Sequence, residues 1–142
     1  MSVVNTPKRE IAVVGAVVLR DGEVLCVQRG PHGSLAGMWE FPGGKIEAGE
    51  SAREALEREI DEELLCEVEV GAEVVTTRHE YDFAIIILTT FFCKLKNGTP
   101  RLTEHSAEKW LKPDQLGSLV WAPADVPAVE KIVQLAAAGE LR

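Results

Sequence analysis

Apolar residues run almost unbroken from Ile11 to Leu19, and Asp21-Gly22 follows directly. The run is rich in Val and Ile and predicts a strand over Ile11–Arg20, with the Asp-Gly pair turning the chain into a second strand, Glu23–Arg29. Gly30–Gly37 holds three Gly and one Pro and reads as a loop. Met38–Phe41 then leads into a second break, Pro42-Gly43-Gly44. Beyond it the spacing changes. Ala52, Ala55, Leu56, Ile60 and Leu64 recur at helical period, which predicts a helix over Ser51–Leu64 opened by Ser51 and Glu54 as a capping box. Cys66–Arg78 and Phe83–Leu95 are β-rich, and Asn97-Gly98 ends the second of them. Ala107–Leu111 predicts a short strand around Trp110, Lys112–Gly117 a turn or short helix, and Pro127–Ala138 a last helix closed by Gly139. Strands interleaved with two helices indicate an α/β or α+β sandwich.

The 142 residues suit a single domain spanning 1–142, and 46% hydrophobic with 27% charged residues is ordinary for a globular chain. No apolar run approaches the roughly 18 residues of a membrane span. The apolar start of the first strand is too short for one and follows Lys8, Arg9 and Glu10, and nothing at the N-terminus reads as a signal peptide. Cys26, Cys66 and Cys93 are odd in number, lack a C-x-x-C pair and sit among apolar residues, as buried reduced thiols do. A cytoplasmic location is expected. The net charge of -8, without a basic patch, argues against a sequence-independent binder of nucleic-acid duplexes. An acidic chain can still hold a polyphosphate when metal cations lie between the two.

Helical geometry makes that possibility concrete. With Leu56 at zero, Glu63 falls roughly 20° away, inside the apolar stripe, Glu59 about 60° and Glu62 about 120° away on the same side. Glu54, Glu57 and Asp61 fall on the opposite, solvated flank. Glu59, Glu62 and Glu63 are thus neighbours at i, i+3 and i+4, where like charges repel. A carboxylate in a core stripe is costly unless paired. Divalent cations answer both problems, and hard oxygen ligands suit Mg²⁺ or Mn²⁺. A solvated acidic face with salt bridges to Arg53 and Arg58 is the plainer alternative.

Gly44, five residues, Glu50, seven residues, then Arg58-Glu59-Ile60-Asp61-Glu62-Glu63 resembles the Nudix box, in which the Arg-Glu-aliphatic-x-Glu-Glu run is followed by x-Gly-aliphatic. Leu65 stands at the family's Gly and Cys66 at its last aliphatic position. Leu in a left-handed conformation costs about 1–2 kcal/mol, so the helix is expected to exit differently. Trp39-Glu40-Phe41-Pro42-Gly43-Gly44-Lys45, Trp110 and Trp121-Ala122-Pro123-Ala124-Asp125 are similar to MutT-like members, including the CTP pyrophosphohydrolases. The implied fold is the Nudix α/β/α sandwich with a mixed sheet.

The resemblance implies that Glu59, Glu62 and Glu63 bind metal, that Glu59 or Glu62 also orients or deprotonates water, and that Arg58 holds the carboxylates by a fork-shaped pair. It adds the carbonyl of Gly44 and the carboxylate of Glu104 as metal ligands, Arg29 as a nucleotide contact and Lys45 as a phosphate contact. Glu50 is expected to bond within the box. The implied reaction is attack at the β-phosphorus of a nucleoside triphosphate, which yields a nucleoside monophosphate and pyrophosphate.

Asp125 stands where MutT-like proteins read the base edge. An ionised Asp accepts from the exocyclic amine of cytosine, which favours CTP, dCTP or a 5-substituted form. A protonated Asp125, with a raised pKa, reads an oxidised guanine such as 8-oxo-dGTP instead. The plainer alternative for Asp125 is N-cap of the last helix. Phe41 is a stacking candidate, as are Trp39, Tyr81 and Trp121, though core is their common place. His32, His79 and His105 read as surface or packing residues. Hydrolysis of a nucleotide sugar or dinucleoside polyphosphate, and a non-catalytic nucleotide-binding module, are the alternative functions. A small-molecule nucleotide is the expected partner, for a monomer or a homodimer.

Overall fold

The computed structural model describes residues 7–141. β1 (Glu10–Arg20) and β2 (Glu23–Gln28) form the expected hairpin, with Asp21 and Gly22 at φ 52° and 78° as a two-residue turn requires. The two strands pair only beside the turn, through Leu19 with Val24 and Arg20 with Glu23. Farther down, β1 leaves β2 and pairs antiparallel with β4 (Gly43–Lys45), matching Val13 to Lys45 and Gly15 to Gly43. Its other edge runs parallel to β6 (Ile85–Asn97), from Glu10 with Ile85 to Leu19 with Lys94. β6 continues antiparallel into β5 (Glu67–Glu80), and β2 carries β3 (Trp39–Glu40) and β7 (Ala107–Leu111). The result is one mixed sheet of seven strands.

Strand alternation assigns the two faces. Val14, Ala16 and Val18 of β1, with Leu25 and Val27 of β2, pack under Ala55, Leu56, Ile60 and Leu64 of α1 (Ala52–Leu64). Val17, Val24 and Cys26 face the other way, onto Ala128, Val129 and Ile132 of α2 (Val126–Ala137) and onto Trp39, Phe41 and Trp121. Sheet between helices is the α/β sandwich that the pattern predicts. The three cysteines are buried and free. Among the described residues no helix is long and apolar enough to cross a membrane.

Three local expectations change. Gly43 and Gly44, read as a break, are strand residues. A Cβ at Gly43 would strike the carbonyl of Val14, so β4 lies against β1 only because glycine is there. Phe83 belongs to the turn closed by the Tyr81 amide donating to the Ala84 carbonyl at 2.8 Å, and β6 begins at Ile85. The expected turn or short helix after β7 does form, as a 3₁₀ helix over Pro113–Ser118. Leu65 does not make the helix exit differently: at φ 53°, ψ 38° it takes the left-handed conformation itself, its amide donating to the Asp61 carbonyl, and its side chain is 58% exposed.

Candidate active site

The capping box forms as expected: the Glu54 amide donates to Ser51 Oγ, and the Ser51 amide to Glu54 Oε1. That start fixes which residues of α1 face the sheet. Glu63 is buried, 8% exposed, where the helical angle places it. The last carbonyls of α1 are taken by the chain before β7. The Arg101 amide donates to Leu64 and the amide and hydroxyl of Thr103 to Glu63. This capping brings Glu104 beside the acids of the helix.

Arg58 gathers the other acids. It donates from Nε and Nη2 to both oxygens of Glu50 at 2.7 and 2.9 Å, from Nη1 to Glu59 at 2.9 Å and Glu62 at 3.3 Å, and from Nη2 to the Lys45 carbonyl at 3.0 Å. Glu50 also accepts from the Glu47 amide, so it bonds within the box as expected. Arg58 and that amide hold Glu50 below the usual carboxylate range. Glu59 is shifted the other way, because burial outweighs its bond to Arg58. Gly44 lies directly against the Glu59 carboxylate, and a Cβ there would fill the space that Glu59 occupies.

Glu63 receives one hydrogen bond, from the Gly43 amide at 3.2 Å. Burial first, then the charges of Glu59, Glu104 and Glu40, push its carboxyl up to about 8. Among the described residues no three acid, His or Cys side chains converge tightly enough to enclose an ion by themselves. The donor set nevertheless suits a hard divalent cation. It is all oxygen, backbone is free to approach at Gly44, and negative charge exceeds what Arg58 offsets.

The acids open on a pocket of about 710 Å³, in the cleft where β1 parts from β2. Arg29, Phe41, Gly44, Lys45, Glu63, Glu104 and Asp125 line it. Arg58, Glu59 and Glu62 are not in its wall; they lie beside it on α1, and Glu62 points outward. Lys45 is exposed and presents its side chain at the pocket. Asp125 stands at the N-cap position of α2, but its side chain makes no capping bond. It is 6% exposed, and its Oδ2 accepts from the Phe41 amide at 3.0 Å. Burial pushes it up to about 8, the Phe41 amide opposing.

Two wall residues, Glu40 and Phe83, escaped the sequence reading, while His105 is packed as expected and Tyr81 was a stacking candidate. Glu40 accepts from Arg29 Nη1 at 3.1 Å and lies 2.9 Å from His105 Nε2. His105 is packed into the wall, its side chain 6% exposed, and its buried Nδ1 has no partner. Tyr81 accepts from the Ala124 amide at 2.8 Å, with Phe83 stacked on it. Strand alternation could have flagged Glu40, opposite in facing to buried Trp39. Phe83 carries no such signal.

A mixed sheet between two helices, with an acid-rich helix set at the edge of a pocket, defines an α/β/α hydrolase of the Nudix type. Comparison with known proteins agrees. The NUDIX domain model matches residues 13–131, and the chain belongs to that family. It is 41% identical over 128 residues to the CTP pyrophosphohydrolase of Escherichia coli (strain K12), covering 90% of this chain and 95% of that protein. It is 31% identical over 137 residues to the 8-oxo-dGTP diphosphatase of the same organism, covering 90% and 98%. The solution structure of a MutT family Nudix hydrolase from methicillin-resistant Staphylococcus aureus 252 superposes with a TM-score of 0.75 at 52% identity, covering 90% of this chain and 98% of that one. Nudix hydrolases act on small nucleotide substrates and generally use divalent metal ions.

Proposed function

We propose that this chain hydrolyses nucleoside triphosphates to nucleoside monophosphate and pyrophosphate, with Mg²⁺, or Mn²⁺ in its place, held by Glu59, Glu62, Glu63, Glu104 and the Gly44 carbonyl. The observation that carries the reading is Glu63: a buried carboxylate among other acids, facing a pocket, with no cationic side chain paired to it among the described residues. A bound divalent cation supplies positive charge against the phosphate oxygens and makes a nearby water more acidic. The chain's residues do the rest. Arg58 keeps Glu59 and Glu62 in place, and one of these two accepts the proton of the attacking water. The water oxygen bonds to the β-phosphorus, and the bond from that phosphorus to the bridging oxygen breaks. The bridging oxygen stays with the nucleoside monophosphate. Lys45 and Arg29 offset charge along the phosphate chain and the nucleotide.

Asp125 reads the base. With a carboxyl pushed up to about 8 it is protonated at neutral pH and can donate as well as accept. That favours an oxidised guanine nucleotide such as 8-oxo-dGTP below pH 8 and cytosine nucleotides above it. The test is a panel of nucleoside triphosphates with Mg²⁺, read as pyrophosphate against orthophosphate release. Turnover of at least one with pyrophosphate as product is expected, and Glu62→Gln should abolish it while leaving the fold intact. No turnover across the panel, or full activity in Glu62→Gln, overturns the reading.

A further inference from the structure

Five large apolar side chains are exposed among the described residues: Leu65, Phe83, Val120, Val126 and Val133. Only Phe83 both is aromatic and lines the pocket. It is 52% exposed, although the turn that carries it is closed by backbone bonds and needs no aromatic ring. Its ring lies 5.1 Å from that of Tyr81 at an interplanar angle of 9°, a stacked pair. Tyr81 cannot swing away, because its hydroxyl is held by the Ala124 amide and His79 packs against it at 4.5 Å. Ala124 in turn precedes Asp125. A fixed row therefore runs from the acid that reads the base to an open aromatic face at the pocket rim.

We propose that Phe83 is a specificity-determining residue that stacks on the nucleobase of the substrate. This rests on the nucleotide reading above and deepens it. One face of the Phe83 ring is taken by Tyr81, while half of the residue stays open to solvent. A planar base fits such a platform because every base has a π-face, whereas the phosphate chain gains nothing from it. Placed on a turn outside the sheet, Phe83 can be replaced with little loss of packing.

Phe83→Ala and Phe83→Trp should be compared with wild type on the best nucleotide of the panel and on ribose 5-triphosphate, which has a phosphate chain and no base. Phe83→Ala should raise KM for the nucleotide about ten-fold, and the nucleotide's advantage over ribose 5-triphosphate should shrink by that factor. Phe83→Trp should keep the advantage. An unaltered KM, or an equal change on both substrates, overturns the proposal. Calorimetric titration with the matching nucleoside monophosphate reads base binding without catalysis. If the wild type turns over no triphosphate, the proposed activity fails, yet that titration still decides Phe83. Wild-type binding no tighter than that of ribose 5-phosphate, or equally tight binding by Phe83→Ala, overturns the stacking role.

Discussion

Glu63 and Asp125 accept hydrogen bonds from two amides of one short segment, Gly43 and Phe41, and the residue between, Pro42, has no amide to offer. The acid proposed as a metal ligand and the acid proposed to read the base thus hang on the same piece of backbone. Their spacing is set by covalent geometry, at about 3.3–3.6 Å per residue of extended chain. Asp125→Ala leaves the Phe41 amide unpaired and should lower stability by about 1–3 kcal/mol in a denaturant melt. Asp125→Asn keeps an acceptor and should lose less; equal losses would discount the bond.

The same residue makes a pH prediction. Its folded pKa, about 8, is raised above its ordinary 3.8. The folded state therefore holds a proton that the unfolded chain has released. The associated stability is complete below pH 3.8, declines as pH rises, and is gone above pH 8. Asp125→Asn should flatten that part of the stability–pH curve. In activity, kcat/KM for CTP relative to 8-oxo-dGTP should climb through pH 8 in the wild type and stay level in the variant. A ratio independent of pH in the wild type would remove Asp125 from base reading.

Two adjacent glycines should fail differently. A Cβ at Gly43 meets the Val14 backbone, which cannot yield without parting β4 from β1. Gly43→Ala should cost about 1–3 kcal/mol, as overpacking does. At Gly44 the Cβ meets only the carboxylate end of Glu59, which can rotate away. Gly44→Ala should melt near the wild-type temperature but lose turnover by ten-fold or more. The reverse pattern would misplace the acid site.

Arg58→Lys preserves charge but not the paired bonds to Glu50 or the simultaneous reach to Glu59. A lysine offers no planar fork. Here kcat should fall by at least ten-fold with KM less affected, as expected for a residue that orients acids. A change confined to KM would argue that Arg58 touches substrate instead.

Leu65 holds a left-handed conformation with its side chain in solvent, so the strain is not offset by packing. Leu65→Gly should raise stability by about 0.5–1 kcal/mol, the relief of strain exceeding the added freedom of the unfolded chain. A lower melting temperature would mean that the exposed leucine makes a contact of its own.

The legible parts of the fold were those decided locally. The capping box, the apolar stripe of α1 and the inward angle of Glu63 follow from helical period alone, and the Asp21-Gly22 turn from the conformations its residues tolerate. Pairing partners are not local. Alternation says that β1 has two faces but not that its far end leaves β2 for Gly43–Lys45. The sequence pattern therefore shows a break where the pocket opens. Leu65 misled for a related reason: propensity ranks conformations, and the surrounding bonds to Asp61 and the loop before β7 decide between them. Glu104 enters through the resemblance alone, and what brings it beside the acids of α1, Thr103 capping that helix, lies in tertiary structure.

The parallel seam between β1 and β6 joins two segments with α1 and β5 lying between them in the chain. Such pairings form late, because a long loop must close first. As the chain leaves the ribosome, the acid helix is complete before β5 and β6 can finish the sheet that β1 and β2 begin beneath its apolar stripe. Until then Glu104 and the segment that caps the end of α1 are also missing from beside Glu63. On the proposed reading, tight cation affinity then belongs to the finished fold and not to the helix alone, so that final folding and metal uptake are coupled. An isolated peptide of residues 44–66 should bind Mg²⁺ no better than any acidic helix, and tight binding by it would separate the two events.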